Sequence, residues 1–388
     1  AQTHGRKRRA VFRLAAHPKM EAMEASTKRV LGFDITRFIA VIAMAFVNYQ
    51  ISLAYGATEP PGLALLANLF QGRASALFVI LAGVGLTMLN DRRIILNRAI
   101  FLLVVGYAWQ WIWPGDILHF YGFYLLAGAA VLNCRASTLL GLALATITAA
   151  TICIFALTQT LMSWGAGWDW SSLSYTEFWQ PLGQLRNIIF NGWHPLLPWL
   201  AFLFLGMALG KIQITKPRQR RIAFLVGVAS CGIAWALSSA LSQMEDTRRL
   251  LLQLNQWWLA PNTIWGLGSL PAGPLYILSA AGSSVALLAL ILELTDRRTN
   301  RFLSTLATAG QYALTFYIAH IFFGLYDIEV LTDASQFPVG EAPTASELLT
   351  LSATRAVWFG LAAIAFSWLW SKRFRKGPLE WLMRRITG

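Results

Sequence analysis

Polar and ionisable side chains lie inside several long apolar stretches of this sequence, where they could do chemistry. Three histidines, an asparagine, an arginine and an aspartate fall at similar positions in these stretches: His119, His194, His320, Asn48, Arg73 and Asp116. An ionisable group at membrane depth costs about 2.5 kcal/mol or more, so it normally faces protein or a water-filled cavity. A neutral imidazole can accept the proton of an attacking hydroxyl or amine, and an amide or guanidinium can donate to a developing oxyanion. The set predicts a polar site suited to acyl transfer.

Each of these residues also has a purely structural interpretation. Asp116 follows Pro114–Gly115, which suits a helix cap, and it lies one turn before His119 on the same helix face. His194 precedes Pro195, a residue type favoured at the first helical position, so His194 could cap that helix. A single histidine on an apolar helix, such as His320, more often packs in the protein core than takes part in a functional site. From the residues alone, a membrane transferase and a transporter both stay open.

A pair of opposite charges lies near the other end of the first apolar stretch. Asp34 and Arg37 are three residues apart, so they share one face of a helix. They could form an ion pair that fixes helix packing, or they could contact a charged cytoplasmic ligand that enters between the helices. Both interpretations stay open.

The elements that must position these residues are membrane-spanning helices. Hydrophobic residues make up 56% of the 388 residues and charged residues only 13%, against roughly 25% charged residues in soluble domains. Apolar runs of about 18 residues or more are long enough to cross a hydrocarbon core. We predict an all-α, polytopic integral membrane helix bundle of about ten transmembrane helices, at 29–54, 62–89, 94–113, 116–133, 138–163, 187–210, 220–242, 273–295, 302–326 and 347–371.

The basic residues indicate how this bundle is oriented. Most of the 32 Lys and Arg residues fall in alternate segments between the predicted helices or in the two tails, and such segments are typically cytoplasmic. We expect both termini in the cytoplasm, with a basic N-terminal arm at 1–28, a transmembrane domain at 29–371 and a basic C-terminal tail at 372–388. The net charge of +14 then reflects topology and contact with membrane lipids, so no nucleic acid is expected as a partner. The three cysteines lack zinc-binding or CxxC spacing, and no metal is expected.

Short motifs along residues 29–385 resemble two related groups of membrane proteins. RVLGFDITR at 29–37 and MAFVNY at 44–49 resemble the first core helix of the heparan-alpha-glucosaminide N-acetyltransferase family. Further motifs are similar to its bacterial relatives, the YeiB-like membrane family: GRASALF (72–78), LAGVG (81–85), DILH (116–119), NGWHP (191–195), ALTFYIAH (313–320) and the closing RKGPLEWL (375–382).

The resemblance implies a transmembrane acyltransferase fold in the bacterial inner (plasma) membrane. In the heparan enzyme, acetyl-CoA enters from the cytosol and its acetyl group reaches an amino sugar across the membrane. Asn48 matches that family's active-site asparagine, whereas the loop at 55–63 lacks the family's catalytic histidine. Another histidine must then serve, and His194 is the first candidate because it lies at a predicted helix start. His119 is the second.

These implications lead to a functional hypothesis with assigned roles. We expect acetyl transfer from acetyl-CoA, as co-substrate, to an extracytoplasmic glycan, lipid or small-molecule acceptor. The alternative is a transporter or exporter of a polar solute that uses the same cavity, and a homodimer stays open. The residues expected to carry these roles are His194, His119 and Asn48 in catalysis, Arg73, Asp116, His320 and Trp193 in substrate binding, and Asp34 and Arg37 in binding coenzyme A.

Overall fold

Helices make up most of the chain that the structure describes. The computed structural model describes residues 29–54, 69–156, 167–169, 174–242, 265–297, 300–322 and 344–388. The α-helices are α1 (Leu31–Ala54), α2 (Arg73–Leu89), α3 (Arg92–Trp109), α4 (Leu118–Ala130), α5 (Ala136–Ala156), α6 (Pro181–Arg186), α7 (Leu196–Lys211), α8 (Pro217–Ser242), α9 (Pro274–Asp296), α10 (Arg301–Gln311), α11 (Ala313–Ile321), α12 (Ala345–Ser371) and α13 (Pro378–Thr387). A π-helix follows α6 at Asn187–Asn191, and β1 (Trp168–Asp169) pairs antiparallel with β2 (Ser174–Tyr175). The predicted all-α class is confirmed apart from this short strand pair.

Helix α1 lies among many of the other described helices. It packs against α2, α9, α10, α11 and α12, and its side chains Ala40, Val41 and Ala45 are almost completely buried. Neighbouring helices therefore surround much of α1. Its polar residues Asp34, Thr36 and Gln50 are buried, as expected for polar groups within an apolar helix.

Small residues let α2 and α7 approach each other closely. A Cβ atom on Gly83 would meet the backbone of Leu203 and Met207, and one on Gly206 would meet the backbone of Ile80. Small residues are common where transmembrane helices pack, because lipid gives little hydrophobic driving force for association and backbones must come close. This contact fixes α2 against α7, and α5 packs against α7 as well.

The described helices support a multi-pass membrane protein. Those long and apolar enough to cross a membrane are Leu31–Ser52, Ala136–Ile154, Pro217–Leu241, Pro274–Asp296 and Ser346–Ser371, and a sixth candidate is the pair Pro181–Asn191 and Leu196–Lys211, which is bent by 48°. Arg73–Leu89 and Leu118–Ala130 are apolar but shorter. The count of ten spans and the cytoplasmic position of both termini stay predictions. The predicted N-terminal arm at 1–28 lies outside the described residues.

Two of the predicted spans contain breaks. The described part of the span predicted at 302–326 is divided into α10 and α11, which meet at Tyr312. Gly310, at the end of α10, lies directly against the backbone of Asp34 in α1. The span predicted at 187–210 is interrupted at 192–195, and Leu197 departs from helical dihedral angles at the start of α7. Each break lies close in sequence to a histidine of the candidate site.

Candidate functional site

A small cavity is bordered by α1, the start of α2, α11 and the break before α7. About 40 Å³ of it is open to water, which is room for roughly three water molecules. Its polar lining comes from separate segments of the chain: Asn48, Gln71, Ser75, His194, Ser269 and Tyr317. Asn48 and His194 are predicted catalytic residues, and the predicted substrate residue Trp193 also lines the cavity.

Helix α1 presents Asn48, whose side chain is held by His320 of α11. Asn48 Nδ2 donates to His320 Nε2 over 2.9 Å, and the hydroxyl of Tyr49 donates to the carbonyl oxygen of His320 over 3.1 Å. His320 is fully buried, and its ring packs against that of Tyr317 at a centroid distance of 5.3 Å. An amide nitrogen carries two hydrogens. The bond to His320 therefore fixes the amide of Asn48 and leaves its second hydrogen for another acceptor.

The break before α7 presents His194 to the cavity. Asn191, the last residue of the π-helix, accepts from Trp168 Nε1 at its carbonyl oxygen over 2.6 Å and from the hydroxyl of Tyr175 at Oδ1 over 3.1 Å. Burial raises the pKa of Tyr175, which keeps this phenol protonated as a donor. The hydroxyl of Tyr124 in α4 donates to the carbonyl oxygen of His194 over 2.6 Å. These bonds fix the backbone at Asn191, directly before the break, and at His194, within it. π-Helical turns such as the one that ends at Asn191 often occur at functional sites.

The imidazole of His194 does not cap α7. Pro195 occupies the N-cap position, and no side chain makes a capping hydrogen bond there. The His194 ring packs edge-on against Trp199 at a centroid distance of 4.4 Å, and its Nδ1 has no hydrogen-bond partner among the described residues. His194 therefore lines the cavity without fixing the start of α7 through a side-chain capping bond.

Asp116 connects α4 and α11 behind the cavity. Its Oδ2 accepts from the backbone N–H groups of Leu118 over 2.7 Å and His119 over 3.2 Å, as a helix cap does. The same oxygen lies 3.3 Å from His119 Nδ1. Its Oδ1 accepts from the hydroxyl of Tyr317 over 3.1 Å, and that phenol oxygen accepts from the N–H of Ile117 over 3.1 Å. Asp116 therefore both caps α4 and joins His119 to Tyr317.

The other predicted site residues do not line the cavity: Asp34, Arg37, Arg73, Asp116, His119 and His320. His119 packs against the ring of Phe120 at a centroid distance of 4.0 Å. Arg73 Nη2 donates to Ser279 Oγ of α9 over 3.1 Å. Arg37 Nη1 donates to Asp34 Oδ1 over 2.9 Å, and 28% of the Arg37 side chain is exposed. The ion-pair interpretation of Asp34 and Arg37 is thus realised, with part of the arginine still accessible.

Tyr317 is a cavity residue that the sequence analysis missed. It lies three residues before His320 on the same face of α11, so the spacing within the ALTFYIAH motif is the signal that could have revealed it. Within the described ranges, no group of three or more His, Cys, Asp and Glu side chains is arranged to hold a metal ion. The polar groups at the cavity are imidazole, amide, phenol and hydroxyl.

Comparisons with known proteins identify the family of this chain. Residues 29–237 match the family described as heparan-alpha-glucosaminide N-acetyltransferase, catalytic. The chain belongs to this N-acetyltransferase family. Residues 208–388 match a second family, described as a protein of unknown function (DUF418). The uncharacterized protein YeiB of Escherichia coli (strain K12) is 26% identical over 410 residues, which cover 93% of this chain and 96% of YeiB. The resemblance seen in the motifs is confirmed.

The candidate site of this N-acetyltransferase family member draws on both matched regions. Asn48, Asp116 and His194 lie in the region matched by the acetyltransferase family. Tyr317 and His320 lie in the region matched by the family of unknown function. Because Asn48 bonds to His320 and Asp116 bonds to Tyr317, the two regions form one site.

Proposed function

We propose that this protein is a transmembrane acetyltransferase that moves an acetyl group from acetyl-CoA to an extracytoplasmic glycan, lipid or small-molecule acceptor. One observation carries the proposal: Asn48, which matches the family's active-site asparagine, and His194 line the same cavity. Family membership supports acetyl-CoA as the donor. The long apolar helices support a reaction across a membrane, which we take to be the bacterial inner membrane.

In this proposal, His194 is the general base. The acceptor's amine or hydroxyl attacks the thioester carbonyl carbon, and its proton passes to the imidazole of His194. Negative charge develops on the carbonyl oxygen, where the amide of Asn48 donates a hydrogen bond. When the carbon–sulfur bond breaks, the imidazolium returns the proton to the departing thiolate. His320 does not touch the reacting atoms but holds the Asn48 amide in place.

The water-accessible part of the cavity, about 40 Å³, can take a group of the size of acetyl. We assign the remainder of each substrate to surfaces beside the cavity. Trp193 packs against Trp168 at a centroid distance of 5.3 Å, and we assign this pair to the acceptor. The partly exposed Arg37 is assigned to coenzyme A.

Release of coenzyme A from acetyl-CoA tests the proposal, with detergent-purified protein and with amino sugars or alcohols as acceptors. Asn48→Ala should lower turnover about 10²–10³-fold, the range for loss of an oxyanion donor, and His194→Asn about 10²–10⁴-fold, the range for loss of a general base. His119→Asn makes the same change in the second candidate histidine, which lies outside the cavity lining; a loss of turnover larger than that of His194→Asn would assign the base to His119 instead.

Acetyl-CoA binding is the second arm of this test. A ligand that binds only the folded state stabilises it by about 2.7 kcal/mol at a hundredfold excess over its dissociation constant. Wild-type protein should therefore melt at a higher temperature with acetyl-CoA, and both site variants should retain this shift. No shift at millimolar acetyl-CoA, together with no release of coenzyme A, would refute the proposal.

Transport or export of a polar solute is the second candidate function. One observation favours it: the pair of helices around 192–195 is interrupted and bent by 48°, and transporters often bind substrates at discontinuous helices. A transporter should move solute across proteoliposomes without acetyl-CoA. In that case His194→Asn would alter transport while acetyl-CoA would have no effect on the melting temperature.

A further inference from the structure

The N-terminus of α11 is capped by Glu380, which lies near the C-terminal end of the region matched by the family of unknown function. Glu380 Oε1 accepts from the backbone N–H of Leu314 over 2.7 Å and from that of Thr315 over 3.0 Å. Glu380 Oε2 accepts from the hydroxyl of Thr315 over 2.6 Å. The first N–H groups of a helix have no partner within the helix, and a negative charge is favourable there. The Glu380 carboxylate satisfies two of these groups at once.

The segment before and within α13 is built to hold Glu380 at this position. Gly377 lies so close that a Cβ atom would clash with the Glu380 carboxylate, and Pro378 begins α13. The N–H of Leu379 donates to Thr315 Oγ1 over 3.2 Å. At the far end of α13, Asn97 Nδ2 of α3 donates to the carbonyl oxygen of Thr387 over 3.2 Å. Helix α13 is therefore attached at both ends, and Glu380 is 9% exposed.

Helix α11 carries two residues that belong to the candidate site. Tyr317 lines the cavity and donates to Asp116, and His320 holds the side chain of Asn48. Thr315, which Glu380 contacts, precedes His320 by five positions, which is about 7.5 Å along a helix. A helix of nine residues moves as a unit over such a distance. A shift at the capped end would therefore displace both site residues.

We propose that Glu380 is a positioning residue for the acetyl-transfer site: its carboxylate fixes the N-terminus of α11 and thereby the places of Tyr317 and His320. The region of unknown function then takes part in catalysis through a contact at its C-terminal helix. This inference rests on the proposed function for its catalytic meaning. The capping contact itself can be tested without any turnover.

Hydrogen–deuterium exchange and kinetics on Glu380→Gln together test the proposal. Glutamine keeps the size of the side chain but replaces one acceptor oxygen with a donor. The matched control is Glu347→Gln, which changes the glutamate of the capping box at the start of α12. Glu380→Gln should speed exchange in peptides covering 313–321 and lower kcat at least tenfold, with the KM for acetyl-CoA unchanged. Glu347→Gln should do neither.

A second pair of variants tests the same contact from Thr315, in case Glu380→Gln does not fold. Thr315→Val removes the hydroxyl that donates to Glu380, whereas Thr315→Ser keeps it. The valine variant should reproduce the kinetic and exchange effects of Glu380→Gln in weaker form, and the serine variant should resemble the wild type.

Each outcome decides the proposal. Unchanged exchange at 313–321 in both Glu380→Gln and Thr315→Val would show that the carboxylate does not hold α11. Faster exchange with unchanged kcat would leave Glu380 as a structural cap and overturn its catalytic meaning. Wild-type protein without turnover would refute the proposed function, and with it the positioning role, even where exchange confirms the cap.

Discussion

Replacing His320 with leucine distinguishes a residue that acts through Asn48 from one that reacts by itself. His320 is fully buried, and Asn48 Nδ2 donates to its Nε2 over 2.9 Å. Leucine fills much of the space of the imidazole ring but accepts no hydrogen bond. The substitution therefore releases the amide of Asn48 without opening a large cavity.

The expected effects on stability and on turnover differ in size. A lost hydrogen bond costs about 0.5–1.5 kcal/mol, and an amide left buried without a partner costs about 1–3 kcal/mol. Asn48 borders a cavity that water can enter, so we expect the free energy of unfolding to fall by about 1 kcal/mol, near the lower end. Misplacement of a catalytic group by about 1 Å can cost about 10²-fold in rate. We expect a loss of that order in kcat.

The assay is a double-mutant cycle on the release of coenzyme A, with Asn48→Ala, His320→Leu and the double variant. If His320 acts only by holding Asn48, the double variant should be as slow as Asn48→Ala within about twofold, the usual scatter of such free energies. If the two losses multiply, His320 has a role of its own. That result would refute the reasoning and make His320 a candidate base.

Three further predictions concern packing, protonation and topology. Gly206→Leu should lower the free energy of unfolding by about 1–3 kcal/mol or more, because the new Cβ atom would meet the backbone of Ile80. Gly85→Leu, where the added Cβ meets open space, should have a small effect in the same denaturation assay. Burial raises the pKa of the Glu380 carboxyl group, so the folded chain binds this proton more tightly than the unfolded chain does. The resulting stabilisation is complete below about pH 4.3 and is lost as the pH rises through the pKa of the folded state. The melting temperature of the wild type should therefore fall relative to that of Glu380→Gln as the pH rises above about 4.3, and a constant difference would contradict this. A C-terminal green fluorescent protein fusion should fluoresce and an alkaline phosphatase fusion should be inactive, while the reverse pattern would overturn the predicted cytoplasmic C-terminus.

Asn48 and His194, which both line the cavity, could be singled out from the sequence because their signals are local. Both are polar residues inside or beside apolar runs, and both lie in short motifs that resemble a known family. Tyr317 gave a weaker signal, since a tyrosine on an apolar helix is common in cores and at interfaces. Its role is set by Asp116, which is 201 residues away in sequence.

The break at Tyr312 and the role of Glu380 could not be predicted from local patterns. The residues from 302 to 322 are apolar enough to suggest one continuous helix, and no proline interrupts them. The break leaves the N–H groups of Leu314 and Thr315 without partners inside the helix. Glu380, which is 66 and 65 positions further along the chain, accepts hydrogen bonds from both. The sequence analysis assigned Glu380 to a basic tail, because only tertiary packing brings it to α11.

The hydrogen bonds around α11 also bear on the choice between acyl transfer and transport. A transporter must open its site to each side in turn, whereas acyl transfer benefits from donors that are fixed before the reaction begins. Helix α11 is tied to α1 through His320, to α4 through the bond from Tyr317 to Asp116, and to α13 through Glu380. Moving it as a gate would break all three contacts. The break before α7 is likewise held, since Tyr124 bonds to the carbonyl oxygen of His194. Because these contacts hold the groups around the cavity in place, the arrangement agrees better with the proposed acyl transfer than with transport.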